Sequence, residues 1–218
     1  MSILTELSIP AAFIIFFLTL GPLKAIGPFA QVTRGADSIL RRTLAWRATL
    51  IATVIVLAVA LVGSLILKNW RVAVPAVMIA GGIILFWQAF QMIINPPASP
   101  AASPPADAQQ LPSLALAHFP LAIPALVTAP GIAAIVAFMA MTEGDWTQKG
   151  IVIFLLLLIM TLNLLALLNV GLIFQYVSPT FLLIVGWVMA VLQTALAIQY
   201  IVNALVRLGA LPPPGSLG

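Results

Sequence analysis

The chain has 218 residues, of which 63% are hydrophobic and 6% charged, with a mean hydropathy of +1.20. Soluble globular domains carry about 25% charged residues, so this composition excludes them and requires a membrane protein. The net charge of +4 comes without basic clusters interleaved with aromatics, which excludes a nucleic-acid partner, and the absence of cysteine excludes disulfides and thiolate chemistry.

The N-terminal residues do not read as a cleavable leader. Glu6 stands where a basic segment belongs, and the apolar stretch behind it holds Pro22 and Pro28. A bilayer-crossing helix needs about 20 mostly apolar residues. Six such stretches are expected, at 9–31, 48–67, 72–94, 114–141, 150–174 and 180–206. Between the third and fourth, Asn95-Pro96-Pro97 opens an Ala/Ser/Pro tract with no apolar period, a linker over 95–112. The organisation is then a first three-helix unit over 1–94, the linker, a second three-helix unit over 113–206, and a tail over 207–218.

Two apolar stretches are broken by proline. One reads Gly21-Pro22-Leu23-Lys24-Ala25-Ile26-Gly27-Pro28 and the other Pro124-Ala125-Leu126-Val127-Thr128-Ala129-Pro130-Gly131. In each the prolines are six positions apart, and the two pairs are offset by 102 residues. Each lies in the first span of its half. Gly81 to Gln88 in the third span also mirrors Gly186 to Gln193 in the sixth. Similar halves with an odd number of spans insert in opposite orientations. The expected fold is therefore an all-α polytopic membrane protein, six transmembrane helices forming two inverted three-helix repeats with a broken first helix in each half. Chance likeness between apolar sequences is the alternative, and it suffices for the glycine–glutamine match taken alone.

Orientation follows the basic residues. Arg34, Arg41, Arg42 and Arg47 cluster between spans one and two with Asp37 the only acid, which places that connection in the cytoplasm and both termini outside. Lys68, Arg71, Lys149 and Arg207 then fall on the outer side and weigh against it.

A proline inside a helix removes a donor and clashes with the carbonyl four residues back. In hydrocarbon the freed backbone groups are costly unless something satisfies them. Glycine beside the proline lets a ligand or a helix approach the backbone. Half-helix amides can hold a carboxylate, and freed carbonyls can hold an ammonium or Na+. Two breaks facing each other would suit a zwitterion; simple kinking of the helices is the alternative. The candidate substrate-binding residues are Thr19, Gly21, Pro22, Lys24, Gly27, Pro28, Pro124, Thr128, Pro130 and Gly131, with Gln88, Asn163 and Gln193 as secondary polar candidates. Lys24 is the sharpest of them. A charge near mid-bilayer costs roughly 2.5–3.5 kcal/mol on insertion scales and normally faces a cavity or partner. It can hold a substrate carboxylate, replace a coupling cation or titrate, or else snorkel to the interface. No acid lies inside an expected span, which argues against a carboxylate proton relay.

His118-Phe119-Pro120-Leu121-Ala122-Ile123-Pro124 followed by Ala129-Pro130-Gly131 resembles the central motif of the MarC-type integral membrane family. Ile79-Ala80-Gly81-Gly82 resembles its third-span motif, and Gly186 to Asn203, with Gln199-Tyr200-Ile201-Val202-Asn203, its last span. The resemblance covers nearly the whole chain in order. It implies six spans in two inverted halves and small neutral amino acid transport, an activity attributed to some members and unassigned in many. Two positions depart from the family pattern. Gly21-Pro22 stands where Asn-Pro is usual, and Ala129-Pro130-Gly131 where Gly-Pro-Gly is usual. Lys24 is a charge where none is expected.

There is no His-Glu-His zinc motif, phosphate-binding loop or dinucleotide glycine signature, and one histidine leaves few metal ligands, so no enzyme, cofactor or metal is expected. The expected function is a secondary transporter or exporter of small solutes in the bacterial inner membrane. Small neutral amino acids are the best substrate class, moved by alternating access at a midplane site between the broken helices. A coupling ion, H+ or Na+, has room in this scheme. The alternatives are a non-transporting membrane partner or structural subunit, and a channel. The partners expected are the lipid bilayer and a small-molecule substrate. An oligomer is left open, because small-residue spacing is too sparse to argue a dimer face.

Overall fold

The computed structural model describes residues 9–94, 114–142, 145–176 and 179–212. Glu6, the 95–112 linker, Asp107, Glu143 and Ser178 lie outside the described residues, as does the tail from 213 onward. Among the described residues every regular element is helical, the outcome lipid dictates, since only a helix satisfies its own backbone within one segment. The helices are α1 (Ile9–Leu20), α2 (Pro22–Val32), α3 (Ser38–Asn69), α4 (Val74–Ile94), α5 (Ala129–Met141), α6 (Trp146–Leu168), α7 (Val170–Tyr176) and α8 (Pro179–Arg207). A short tight turn, Leu114–Ala117, and a wide irregular coil, His118–Leu126, precede α5.

Five stretches are long and apolar enough to cross a membrane: Ala12–Val32, Ser38–Leu67, Val74–Ile94, Trp146–Leu168 and Ile184–Arg207. A sixth is made if His118–Leu126 and α5, bent by 55° at their break, count together. The first of these spans joins α1 and α2 across the interruption at Gly21.

Several boundaries differ from expectation for local reasons. α3 starts at Ser38 rather than 48 because the Leu40 amide donates to Asp37 Oδ1 at 2.8 Å, capping a helix that nothing breaks before the apolar run. α6 starts at Trp146 because Asp145 Oδ1 accepts from the amides of Thr147 (2.8 Å) and Gln148 (3.1 Å). The fifth span ends at Leu168, and Asn169 turns the chain into the short α7, where one continuous helix to 174 was expected.

Small residues draw the helices together. Ala45, Ala48, Ala52, Val56 and Ala60 make the buried stripe of α3, which packs on α5 and α6, while Leu50, Val54, Leu61 and Leu65 face outward as a lipid-contacting face requires. α1 lies against α5 and α6, with the Phe16 and Phe138 rings edge to face at 5.1 Å.

The most extensive pairing is α4 with α8. A Cβ on Gly82 would meet the Ala197 carbonyl oxygen at 2.9 Å, Gln88 bonds Gln193, and a Cβ on Gly186 would meet Met92 at 2.8 Å. The partner number falls along α8 as it rises along α4, so the two helices run antiparallel.

Candidate functional site: the junction of two interrupted spans

α1 stops at Leu20 because Pro22 has no amide hydrogen to continue it and its ring excludes the helical path. Gly21 takes an extended conformation (φ −76°, ψ 169°), as a residue before proline should, and Pro22 opens α2. Gly21 is required here. A Cβ at this position would run into the backbone carbonyl of Phe17. In the second half the irregular coil leaves helical geometry at Phe119 and Ile123, Val127 and Thr128 are extended, and α5 starts at Ala129-Pro130.

The two interruptions meet. Thr128 Oγ1 donates to the Thr19 carbonyl at 2.8 Å and accepts from the Gly131 amide at 3.1 Å, so one hydroxyl caps α5 and satisfies the end of α1. Asn163 Nδ2, from α6, donates to the Leu20 carbonyl at 2.7 Å and to the Ile159 carbonyl at 3.0 Å. A Cβ on Gly131 would run into the Leu20 side chain, so glycine lets the tips touch. The Thr19 hydroxyl turns back on Ile15 O at 2.7 Å, the common use of a threonine inside a helix.

The carbonyls of Thr19 and Leu20, at the end of α1, each already accept a protein donor. The group left over is Asn163 Oδ1. Asn163 is wholly buried, and no protein donor reaches this oxygen. The amide cannot usefully flip, because its nitrogen serves two carbonyls and an oxygen there would oppose both. The amide end of α2 has no side-chain cap, unlike that of α5.

A second polar cluster starts from Lys24, in the first turn of α2. Lys24 Nζ donates to Gln88 Oε1 at 3.2 Å, and Gln193 Nε2 donates to the same oxygen at 3.2 Å and to Leu85 O at 3.4 Å. Three helices, α2, α4 and α8, thus share one acceptor. The two acids among the described residues, Asp37 and Asp145, are both engaged as helix caps, of α3 and α6.

Of the sequence-predicted residues, Thr19, Gly21, Pro22, Thr128, Pro130, Gly131 and Asn163 come together at the junction, and Lys24, Gln88 and Gln193 form the adjoining cluster. Gly27 has open space around it, Pro28 is exposed inside α2, and Pro124 is exposed in the irregular coil; none of these three joins the junction. The residues that open the two half-helices are thus Pro22 and Pro130, not the equal-offset pairs read from the sequence. The Leu20 and Leu85 carbonyls were not legible, since a backbone acceptor leaves no mark in residue identity. No group of three or more His, Cys, Asp or Glu among the described residues could hold a metal ion.

The interrupted first span, the bent pair built on the His118–Gly131 motif and the apolar helical bundle around them all lie within the reach of one family. The model of MarC family integral membrane proteins matches residues 7–208. The chain belongs to the MarC family. Among similar MarC-type proteins, a UPF0056 membrane protein of Methanocaldococcus jannaschii is 30% identical over 195 residues, covering 89% of this chain and 94% of its own. Another, from Archaeoglobus fulgidus, is 25% identical over 197 residues, covering 90% and 92%. No solved structure matches the chain. This MarC family protein is therefore an integral membrane protein, in contact with the bilayer along its spans.

Proposed function

We propose that this MarC family protein is a secondary transporter or exporter of small solutes, with small neutral amino acids as its substrate class. The observation that carries the reading is the junction itself. Two interrupted spans touch there through Thr128 and Thr19, and a wholly buried acceptor, Asn163 Oδ1, stands beside them without a protein donor. A buried acceptor without a donor costs about 1–3 kcal/mol, so a donor brought by a ligand is bound there favourably. The ammonium of an amino acid supplies the missing donor, and the uncapped amides of α2 suit its carboxylate.

Alternating access fits the same geometry. The repeat is inverted in this reading, with the pseudo-two-fold axis passing near Gln88 and Gln193. Those residues are 105 apart, as are Gly81 and Gly186, and they meet where antiparallel α4 and α8 cross. One half then rocks against the other about that seam, exposing the junction to each side in turn. The arginines at 34, 41, 42 and 47 set the α2–α3 connection on the cytoplasmic side of the bacterial inner membrane, with both termini outside.

Binding is tested by thermal unfolding of the detergent-purified protein with glycine or alanine. A ligand that binds the folded state stabilises it by RT ln(1 + [L]/Kd), about 2.7 kcal/mol at a hundredfold excess over Kd. A concentration-dependent rise in Tm supports the reading. A flat response to neutral amino acids moves the protein towards a partner or structural role.

A further inference from the structure

Lys24 occupies the wrong end of its helix. It is the third residue of α2, in the first turn, where the aligned peptide dipoles already concentrate positive charge. No acid stands in that turn, and no side chain caps it. Among the described residues the ammonium bonds a neutral amide oxygen, Gln88 Oε1, which it shares with Gln193. An ammonium has three donors to place, and the surroundings are apolar. A cation at a helix N-terminus, inside a membrane span and bonded to no acid among the described residues, is an electrostatic arrangement that an anion relieves.

A second, independent observation lies at the same break. Asn163 Nδ2 binds the carbonyl of Leu20, the residue immediately before the Gly21 cap of α2, and its buried Oδ1 has no protein donor. The break thus holds an acceptor without a protein donor as well as the positive charge of the first turn of α2.

We infer that Lys24, with Gln88 and the first amides of α2, forms a carboxylate subsite in which the lysine ammonium is a resident cation and does the work of a bound metal coupling ion. The inference rests on the transport reading for its physiological ligand, but the subsite is defined by its anion chemistry alone. Gln88 holds the ammonium in place through an oxygen fixed by Gln193. An arriving carboxylate pairs with the free donors of Lys24. Because the positive charge is built into the chain, no Na+ is needed beside the carboxylate.

Two arms test it with the full-length protein. In the first, acetate and glycinamide are titrated separately against the purified wild type and against Lys24→Gln, which keeps a donor for Gln88 but removes the charge. Acetate is expected to raise the wild-type Tm and to leave Lys24→Gln unmoved, while Lys24→Arg retains part of the shift. An equal acetate response in wild type and Lys24→Gln, or none in either, overturns the subsite. In the second arm, glycine uptake is measured in proteoliposomes with Na+ replaced by choline. The rate is expected to be unchanged by that replacement. Lys24→Gln is expected to raise KM roughly tenfold to a hundredfold with a smaller change in kcat, the range carried by a hydrogen bond to a charged group. A requirement for Na+, or competition by glycinamide as strong as by alanine, overturns the inference. An acetate shift that depends on Lys24 without any amino acid uptake overturns the transport reading and leaves the subsite standing.

Discussion

Asn163 shows how one side chain can complete a break made a long way off in the chain. Its amide nitrogen closes the end of α1 across 143 positions, and its oxygen is left without a protein donor. Replacing it with leucine strands the Leu20 carbonyl, so Asn163→Leu is expected to cost about 1–3 kcal/mol, read as a fall in Tm in detergent. The two close-approach glycines behave differently on substitution. Gly131→Ala meets a side chain, Leu20, and the overpacking is expected to cost about 1–3 kcal/mol. A smaller residue at 20 gives the new methyl room, so the double variant with Leu20→Val is expected to regain part of the lost Tm. Gly21→Ala meets the Phe17 backbone carbonyl instead, and trimming the Phe17 side chain is expected to recover nothing. At this scale the sequence was informative about polar identity and silent about backbone partners. Lys24, Asn163, Gln88 and Gln193 were conspicuous because polar groups are rare in apolar runs. The acceptors they reach are main-chain or amide oxygens whose positions depend on the packing of helices distant in sequence.

Thr128 acts on two elements at once, as the cap of α5 and the donor that closes α1. Thr128→Val keeps the shape and loses both bonds. It is expected to cost about 0.5–2 kcal/mol through the lost cap alone, more than Thr128→Ser, in the same melting assay. The paired helices α4 and α8 offer a sharper test, because the chain has no native cysteine to interfere. Cysteines at Met92 and Gly186 are expected to cross-link on mild oxidation, and cysteines at Gly82 and Gly186 are not; the reverse result would mean that the helices run parallel. The long elements were readable from apolar run length, because lipid leaves the backbone few other choices. Their ends were less so. The Asp37 and Asp145 caps extend α3 and α6 into polar sequence that hydropathy assigns to loops, and Asn169 divides a run that hydropathy reads as one helix. The breaks were visible as prolines, yet proline spacing did not identify which of them open half-helices. Pro22 and Pro130 do so because each stands in the first turn of its helix, behind an extended cap residue, Gly21 or Thr128, whereas Pro28 is carried inside α2 and Pro124 inside the irregular coil.

Among the described residues the apolar bundle holds two polar places where interrupted or crossing helices meet, the Thr19–Thr128–Asn163 junction and the Lys24–Gln88–Gln193 cluster. In the transport reading they move relative to each other as the α4–α8 seam flexes, because Gln88 ties α2 to both helices through a single oxygen. The measurement that tests this most directly is uptake of radiolabelled glycine and alanine into proteoliposomes by the wild type, Thr128→Val and Pro130→Ala, each shown to be folded. Saturable uptake by the wild type is expected, reduced at least tenfold in both variants. Wild-type uptake no faster than in empty liposomes, or full uptake in both variants, would contradict a transport site at the junction.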